Sequence, residues 1–156
     1  MARVLCIANQ KGGVGKTTTA VNLADALAKS DRRTLLVDLD PQCNATSALG
    51  AKAVDHHPLL MDEPLSDLQV GIHPDTLAVL PGSRNIDDVQ RMAASDETDR
   101  RHLLSRLATT HATFDTVVID CPPSLGRLTQ TALMASTEVL MPIQCEFFAM
   151  EGLTQM

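Results

Sequence analysis

The chain has 156 residues, of which 44% are hydrophobic and 21% are charged. This length and balance fit one globular domain over residues 1–156 with a substantial core, and they argue against extended disorder. Trp and Tyr are absent and there are three phenylalanines. An aromatic surface for stacking the bases of single-stranded nucleic acids is therefore excluded as the main function.

The formal net charge of −6 is unevenly distributed along the chain. Residues 1–52 carry seven basic and four acidic side chains, whereas residues 53–156 carry six basic and fifteen acidic ones. A protein that binds the DNA backbone needs a basic face that releases counterions. The acidic majority of the chain argues against such a face within these residues, while the first third can still hold a local site for a small anion.

The four cysteines lie far apart in the sequence and form no C-x-x-C pair, which argues against a zinc knuckle or a redox dithiol. Cys6, Cys121 and Cys145 lie in or beside apolar runs, so we expect reduced, buried thiols. The amino-terminal apolar stretch is too short for a signal peptide, and there is no run of about 18 apolar residues. We therefore expect a cytoplasmic protein that does not associate with membranes.

The first half of the chain predicts two strands and a long helix. Short apolar runs at 4–8 and 34–37 are typical of strands that are buried on both faces. Between them, apolar residues recur at helical spacing over 16–29. Residues 51–76 contain several prolines without a clear period, and we interpret them as a surface excursion with one short helix near 65–70.

The second half continues the alternation of strands and helices. Apolar runs predict strands at 77–80, 117–119 and 139–141, and helical spacing predicts helices over 87–110 and 125–136. This order indicates right-handed βαβ units and an α/β fold, a parallel sheet with helices on both faces.

Polar segments follow three of the predicted strands, at residues 11–18, 38–42 and 120–124. In a parallel sheet, ligands bind at the carboxyl ends of the strands. We therefore expect these three segments to meet at one edge of the sheet and to form the functional site.

The segment 11–18 reads KGGVGKTT and lies between the first strand and the first helix, which is the context of a phosphate-binding loop. Its glycines let backbone amides turn toward a phosphate, and the helix amino terminus adds its dipole. Lys16 can reach the outer phosphates, and the Thr17 hydroxyl can ligate Mg²⁺. Gln10 stands where the consensus G-x-x-x-x-G-K-[ST] has its first glycine, and a second lysine, Lys11, opens the loop instead.

A loop with lysines at both ends resembles the deviant Walker A box of the ParA/MinD group of P-loop ATPases. VDLDPQCNATSALG and VVIDCPPSLG resemble two further boxes of the ParA (Soj-like) partition branch, and MPIQCEFFAMEGL continues the likeness toward the end of the chain. The resemblance implies a P-loop NTPase fold, ATP with Mg²⁺, and a set of nucleotide-binding loop residues. They are Lys11, Gly12, Gly13, Val14, Gly15, Lys16, Thr17 and Thr18.

The resemblance also implies how the loop residues act. Lys16 contacts the β- and γ-phosphates of its own nucleotide, Thr17 ligates magnesium, and Thr18 lies near the α-phosphate. Lys11 matches the signature lysine that reaches the partner's phosphates across an ATP-bound homodimer. Gly12 is the position at which a side chain would crowd the dimer's phosphate face.

Three carboxylates complete the site that the resemblance implies. Asp40 matches the carboxylate that positions or activates the attacking water, so Lys11, Lys16 and Asp40 form the expected catalytic set. Asp120 matches the Walker B aspartate, and Asp38 could support magnesium through water. The alternative for each is an acid that meets water or caps a turn at a strand end, and this alternative is strongest for Asp38.

Other polar clusters favour structural roles. His56 and His57 are adjacent, point apart and lack further ligands at metal spacing, so we expect a solvated loop. Asp88 suits the amino-terminal end of a helix, and Arg106 suits a solvated helix face.

Taken with the motifs, the resemblance implies a partition ATPase that dimerises on ATP and acts in chromosome or plasmid segregation with a ParB-type partner. The family binds non-specific DNA through basic residues beyond the point where this chain stops, so no DNA-binding residue is assigned here, and nucleoid association would follow from the longer form. We expect an amino-terminal portion, truncated at the carboxyl end. The alternatives are a nucleotide-binding or dimerisation module without turnover and a MinD-like positioning ATPase.

Overall fold

The computed structural model describes residues 2–85, 88, 97–110, 113–124 and 126–144. The strands are β1 (Arg3–Ile7), β2 (Thr34–Asp38), β3 (Val70–His73), β4 (Leu77–Leu80), β5 (Thr116–Asp120) and β6 (Glu138–Leu140). The helices are α1 (Lys16–Lys29), α2 (Asn44–Ala48), α3 (Leu65–Leu68), α4 (Glu97–Thr109) and α5 (Arg127–Ala135), with a short 3₁₀ helix at Pro58–Leu60.

The strands form one sheet in the order β3-β4-β2-β5-β1-β6. Every neighbouring pair is parallel except β3 and β4, which are antiparallel. β5 lies between β1 and β2, and all five of its residues are buried. The mostly parallel sheet confirms the α/β fold that the alternating elements predict.

One face of the sheet is covered by α1. Because side chains alternate along a strand, Ile7 of β1 and Val118 of β5 point to this face. They pack against a stripe of small residues on the helix, Ala20, Ala24 and Ala28, each at most 3% exposed. The short side chains let the helix axis lie close to the strands.

The opposite face is covered by α4 and α5. Val117 and Ile119 of β5 point to this side and belong to a core that includes Leu107, Leu128 and Ala132. The sheet therefore has helices on both faces, as predicted, and its central strands read as continuous apolar runs for that reason.

Two elements of the structure were not predicted from the sequence. The short helix α2 has five residues, which is too few for a helical period to be visible. β3 contains a glycine and lies at the sheet edge, with Val70 39% exposed, so it lacks the apolar run of a central strand. The helix predicted near 65–70 is present as α3 but ends at Leu68.

The prediction of a solvated loop is wrong for His57, which is 1% exposed. Its Nε2 donates to the carbonyl oxygen of Asp38 at 3.0 Å, and its Nδ1 accepts from the backbone N–H of Leu59 at 3.2 Å. The backbone N–H of His57 donates to Asp88 Oδ2 at 2.6 Å. Burial lowers the pKa of His57, so the ring is neutral and joins the excursion to the end of β2.

The expectation of a solvated helix face is also wrong for Arg106, whereas Asp88 lies in a helical position, as expected, but is buried. Asp88 is 1% exposed and holds the backbone of His57. Arg106 donates from its guanidinium to the carbonyl oxygens of Pro58 at 3.0 Å and Glu63 at 2.6 Å. Both residues fasten the excursion that follows β2, because its backbone groups outside regular secondary structure need side-chain partners.

The described cysteines, Cys6, Cys43 and Cys121, are free and buried, which confirms that expectation for Cys6 and Cys121. Cys145 lies outside the described residues, as do the positions from 145 to 156 that carry the last motif. Within the described part of the chain, no helix has the length and apolar character needed to cross a membrane.

The alanine stripe of α1 gives a test of the packing. Ala24→Leu inserts a larger side chain between helix and sheet, and we expect it to lower the free energy of unfolding by about 1–3 kcal/mol. Urea denaturation measures the change. Ala26→Leu on the exposed side of the same helix is the control and should be close to neutral. Equal losses for the two variants would contradict this packing.

Candidate nucleotide-binding site

The polar segments meet because three neighbouring strands are parallel and in register. Ile7 of β1 lies opposite Asp120 of β5, and Asp120 lies opposite Asp38 of β2. The segments that leave these strands therefore start side by side at the carboxyl edge of the sheet. This edge is the candidate site.

The loop between β1 and α1 has a backbone that requires glycine at two positions. Gly13 has φ +75° and Gly15 has φ +90°, in the left-handed region that other residues adopt at a cost. Helix α1 begins immediately afterwards at Lys16, and the Gly15 carbonyl accepts from the Thr19 N–H at 2.8 Å. Several free amides of the loop and of the first helical turn are thus available to an anion at this point.

The two lysines of the loop occupy different environments. Lys16 is 6% exposed, and its Nζ folds back to the carbonyl oxygen of Lys11 at 3.1 Å. Lys11 is exposed. One cation of the loop is therefore buried and the other is accessible to solvent.

Asp120 is a buried carboxylate that lies close to Thr17 and Lys16. Its side chain is 0% exposed, and neither oxygen has a hydrogen-bond partner of standard geometry among the described residues. Burial raises the pKa of Asp120 to about 7, although the nearby Thr17 hydroxyl and Lys16 favour its ionised form. A buried carboxylate with unpaired oxygens beside a hydroxyl matches the hard oxygen ligands that Mg²⁺ prefers.

Asp38 is equally buried, but its oxygens already have partners. Oδ2 accepts from the Thr46 N–H at 2.8 Å and from the Thr46 hydroxyl at 2.7 Å, and Oδ1 accepts from the Asp40 N–H at 3.2 Å. The Thr46 hydroxyl in turn accepts from the Gly82 N–H at 2.9 Å. Asp38 thus ties the ends of β2 and β4 to α2, and its expected support of magnesium stays a prediction.

Asp40 follows β2 at the same edge of the sheet and is also buried, at 7% exposed. Its Oδ1 accepts from the Gln42 N–H at 2.9 Å, and its carbonyl oxygen accepts from the Cys43 N–H at 2.8 Å. This turn fixes the backbone of Asp40 beside Asp38, so its carboxylate is held at the same edge as the glycine loop.

The described residues contain no group of three or more His, Cys, Asp or Glu side chains arranged to hold a metal ion. A magnesium ion held by Thr17 and Asp120 would therefore take further oxygen ligands from phosphate groups and water. Mg²⁺ sites in phosphate-processing proteins have this character.

A cavity of about 530 Å³ lies elsewhere, at the amino ends of the strands. Arg3 and Arg33 line it, but each is paired, with Glu138 at 2.8 Å and with Asp115 at 3.1 Å. It is separate from the three polar segments, and the carboxyl edge remains the better-supported site.

Sequence reasoning missed the residues that support the site from behind. Thr46 lies within a recognised box, but a threonine there carries no sign of a buried contact with Asp38. Asn9 directly precedes the loop, and its side chain accepts from the Lys11 N–H at 2.9 Å. An asparagine two residues before a turn amide is the signal that could have identified this contact.

The raised pKa of Asp120 predicts a pH-dependent stability. The folded protein holds a proton that the unfolded chain releases between about pH 4 and 7, so ionisation of Asp120 destabilises the fold as pH rises. In metal-free buffer we expect Asp120→Asn to be more stable than wild type at pH 8 by on the order of 2 kcal/mol. The difference should shrink toward pH 4, as measured by denaturant unfolding.

Asp115→Asn provides a control of opposite sign. Arg33 lowers the pKa of Asp115, so this variant should lose stability at pH 8 and approach wild type in acid. A pH-independent difference between wild type and Asp120→Asn would contradict the assignment of a buried, unpaired carboxylate at that position.

Comparison with known proteins supports the resemblance. The sequence profile of the AAA domain family matches residues 2–156. The chromosome partitioning protein ParA of Myxococcus xanthus (strain DK1622) is 45% identical, in an alignment covering 100% of this chain and 57% of that protein. The sporulation initiation inhibitor protein Soj of Bacillus subtilis (strain 168) is 41% identical, covering 100% of this chain and 64% of that protein. The chain thus spans 57–64% of the length of these relatives.

Solved structures show the same fold. Cobyrinic acid a,c-diamide synthase from Mycobacterium smegmatis, with bound ATP analog and magnesium, superposes with a TM-score of 0.87 at 41% identity, covering 99% of this chain and 65% of that chain. A plasmid partition protein from Borrelia burgdorferi gives a TM-score of 0.83 at 28% identity, covering 99% and 71%. The chain therefore belongs to the AAA domain family and is a homologue of the ParA and Soj chromosome-partitioning proteins over residues 2–156.

Proposed function

We propose that residues 1–156 form one P-loop domain of a partition ATPase that binds and hydrolyses Mg²⁺-ATP. The observation that carries the proposal is that a buried lysine, Lys16, and a buried carboxylate, Asp120, lie beside the same glycine loop, and that the Asp120 oxygens have no hydrogen-bond partner of standard geometry among the described residues. Phosphoryl transfer requires a cation that binds phosphate, an oxygen ligand for the metal and backbone amides that donate to phosphate oxygens. Lys16, Asp120 and the glycine loop can supply them.

Nucleotide binding would use the loop from 11 to 18. The amides around Gly13 and Gly15 donate to phosphate oxygens, and Lys16 exchanges its contact with the Lys11 carbonyl for the outer phosphates. Thr17 and Asp120 would hold Mg²⁺, which neutralises phosphate charge when bound. The partly ionised Asp120 becomes fully ionised on meeting this charge, so binding releases a proton near neutral pH.

Hydrolysis would depend on Asp40 and Lys11. Asp40 lies at the same edge of the sheet, where its carboxylate can orient a water toward the terminal phosphate. Lys11 is exposed, so its side chain is accessible to the phosphates of a second copy. ATP would therefore join two copies of the chain through their phosphate faces.

The biological setting follows from the relatives. We infer a cytoplasmic, nucleoid-associated protein that acts in chromosome or plasmid segregation with a ParB-type partner. A relative named for chromosome partitioning, which aligns with 100% of this chain, supports this reading. No described residue is assigned to DNA, and the acidic balance of residues 53–156 agrees with that assignment.

Substitution of Lys16 tests the binding step. We expect Lys16→Ala to weaken Mg²⁺-ATP binding by at least about 100-fold, because hydrogen bonds to charged groups are the strongest in the site. Isothermal titration measures the affinity. Asp40→Ala should instead retain binding and lose hydrolysis, which a phosphate-release assay measures.

Lys29→Ala is the matched control, since Lys29 lies at the far end of α1 in an exposed pair with Asp25. It should bind ATP as wild type does. A folded wild-type chain that fails to bind Mg²⁺-ATP, or unchanged hydrolysis in Asp40→Ala, would refute the corresponding step of the proposal.

A larger residue at position 12 tests the dimer. Within the described residues, a Cβ on Gly12 would meet the Pro123 side chain at an ordinary distance of 3.9 Å, so the isolated chain should tolerate it. We expect Gly12→Val to bind Mg²⁺-ATP and to stay monomeric, while wild type doubles its mass in light scattering. An ATP-dependent dimer of the variant would show that the phosphate faces do not meet.

A further inference from the structure

The segment that follows β6 lies against the glycine loop. We call residues 141–144 the strap. Just before it, at the end of β6, the Leu140 carbonyl accepts from the Ala8 N–H at 3.3 Å, which extends the pairing of β6 with β1. Two side-chain hydrogen bonds then join the strap to the opposite segment, one from Asn9 to Pro142 and one from Gln144 to Gly13. The strap thus touches the chain before, and within, the phosphate-binding segment.

Asn9 bridges the strap and the first loop residue. Its Nδ2 donates to the Pro142 carbonyl oxygen at 2.8 Å, and its Oδ1 accepts from the Lys11 N–H at 2.9 Å. The two hydrogen bonds fix the orientation of the Asn9 side-chain amide, because the Lys11 N–H requires an acceptor oxygen and the Pro142 carbonyl requires a donor nitrogen. The backbone of Lys11 is therefore held indirectly by the strap.

Gln144 holds the middle of the loop. Its Nε2 donates to the Gly13 carbonyl oxygen at 3.1 Å. This hydrogen bond fixes the orientation of the peptide group that follows Gly13, within the phosphate-binding segment. Gly13 has φ +75°, and a glycine can adopt many backbone conformations. A hydrogen bond at its carbonyl therefore restricts the loop to fewer of them.

We propose that Asn9 and Gln144 are positioning residues that hold the loop in its phosphate-binding shape, with Asn9 also setting the backbone of Lys11. The inference rests on the proposed function and deepens it. Neither residue needs to touch the nucleotide. Each acts by lowering the conformational freedom that the loop would lose on binding phosphates.

Three variants separate the contacts. Asn9→Ala removes both contacts of the bridge. Asn9→Ser keeps a hydroxyl that can accept from the Lys11 N–H but cannot span to Pro142. Gln144→Met keeps the length of the side chain without the donor. Asn22→Ala is the control, because the Asn22 side chain donates at 2.8 Å to Thr18 within its own helix.

The first measurement is amide hydrogen exchange of the nucleotide-free chain over residues 9–16. We expect exchange to rise roughly 3- to 10-fold in Asn9→Ala and Gln144→Met, the factor that the loss of one hydrogen bond implies, and less in Asn9→Ser. Asn22→Ala should match wild type. This readout needs no nucleotide, so it decides the inference even if the proposed function fails.

The second measurement is affinity for two probes, magnesium pyrophosphate and Mg²⁺-ADP. A loop effect weakens both by the same factor, whereas general destabilisation lowers the melting temperature and leaves the affinity of the folded protein unchanged. Unchanged loop exchange in both Asn9→Ala and Gln144→Met would overturn the inference, as would loss of ADP affinity with pyrophosphate affinity retained. Wild type that binds neither probe would refute the proposed function instead.

Discussion

Two carboxylates buried side by side at one sheet edge are the constraint on which the site depends. Asp38 and Asp120 lie opposite each other on β2 and β5, and both are 0% exposed. An ionised carboxylate in such a place is costly unless hydrogen bonds or a cation compensate for the lost water. The surrounding residues compensate for this cost to different extents at the two carboxylates.

Asp38 is compensated from within the chain. Its bonds to Thr46 and to the Asp40 N–H satisfy both oxygens, and burial still raises its pKa against those contacts. The neutral ring of His57 fastens the same backbone from the other side. Asp38 therefore serves as a rigid anchor that holds Asp40 at the carboxyl edge of the sheet.

Asp120 is compensated less well than Asp38. Among the described residues its oxygens have no hydrogen-bond partner of standard geometry, and only the nearby Thr17 and Lys16 favour its ionised form. Under the proposed function, Mg²⁺ and phosphates would supply the further charge partners and remove this electrostatic cost. Perturbed carboxylates of this kind are typical of functional sites, whereas a satisfied anchor such as Asp38 is typical of structural ones.

The sequence by itself determined the alternation of strands and helices, the glycine loop with its two lysines, and the three polar segments at strand ends. Those features are local, because apolar runs, helical spacing and glycines at positive φ depend only on residues close together in the sequence. Only the tertiary structure decided that His57 and Arg106 support an excursion, that Val70 starts an edge strand, and that Asn9 and Gln144 meet at the loop. These outcomes depend on contacts between residues far apart in the chain, and the identity of a histidine or glutamine does not state which backbone carbonyl it will face.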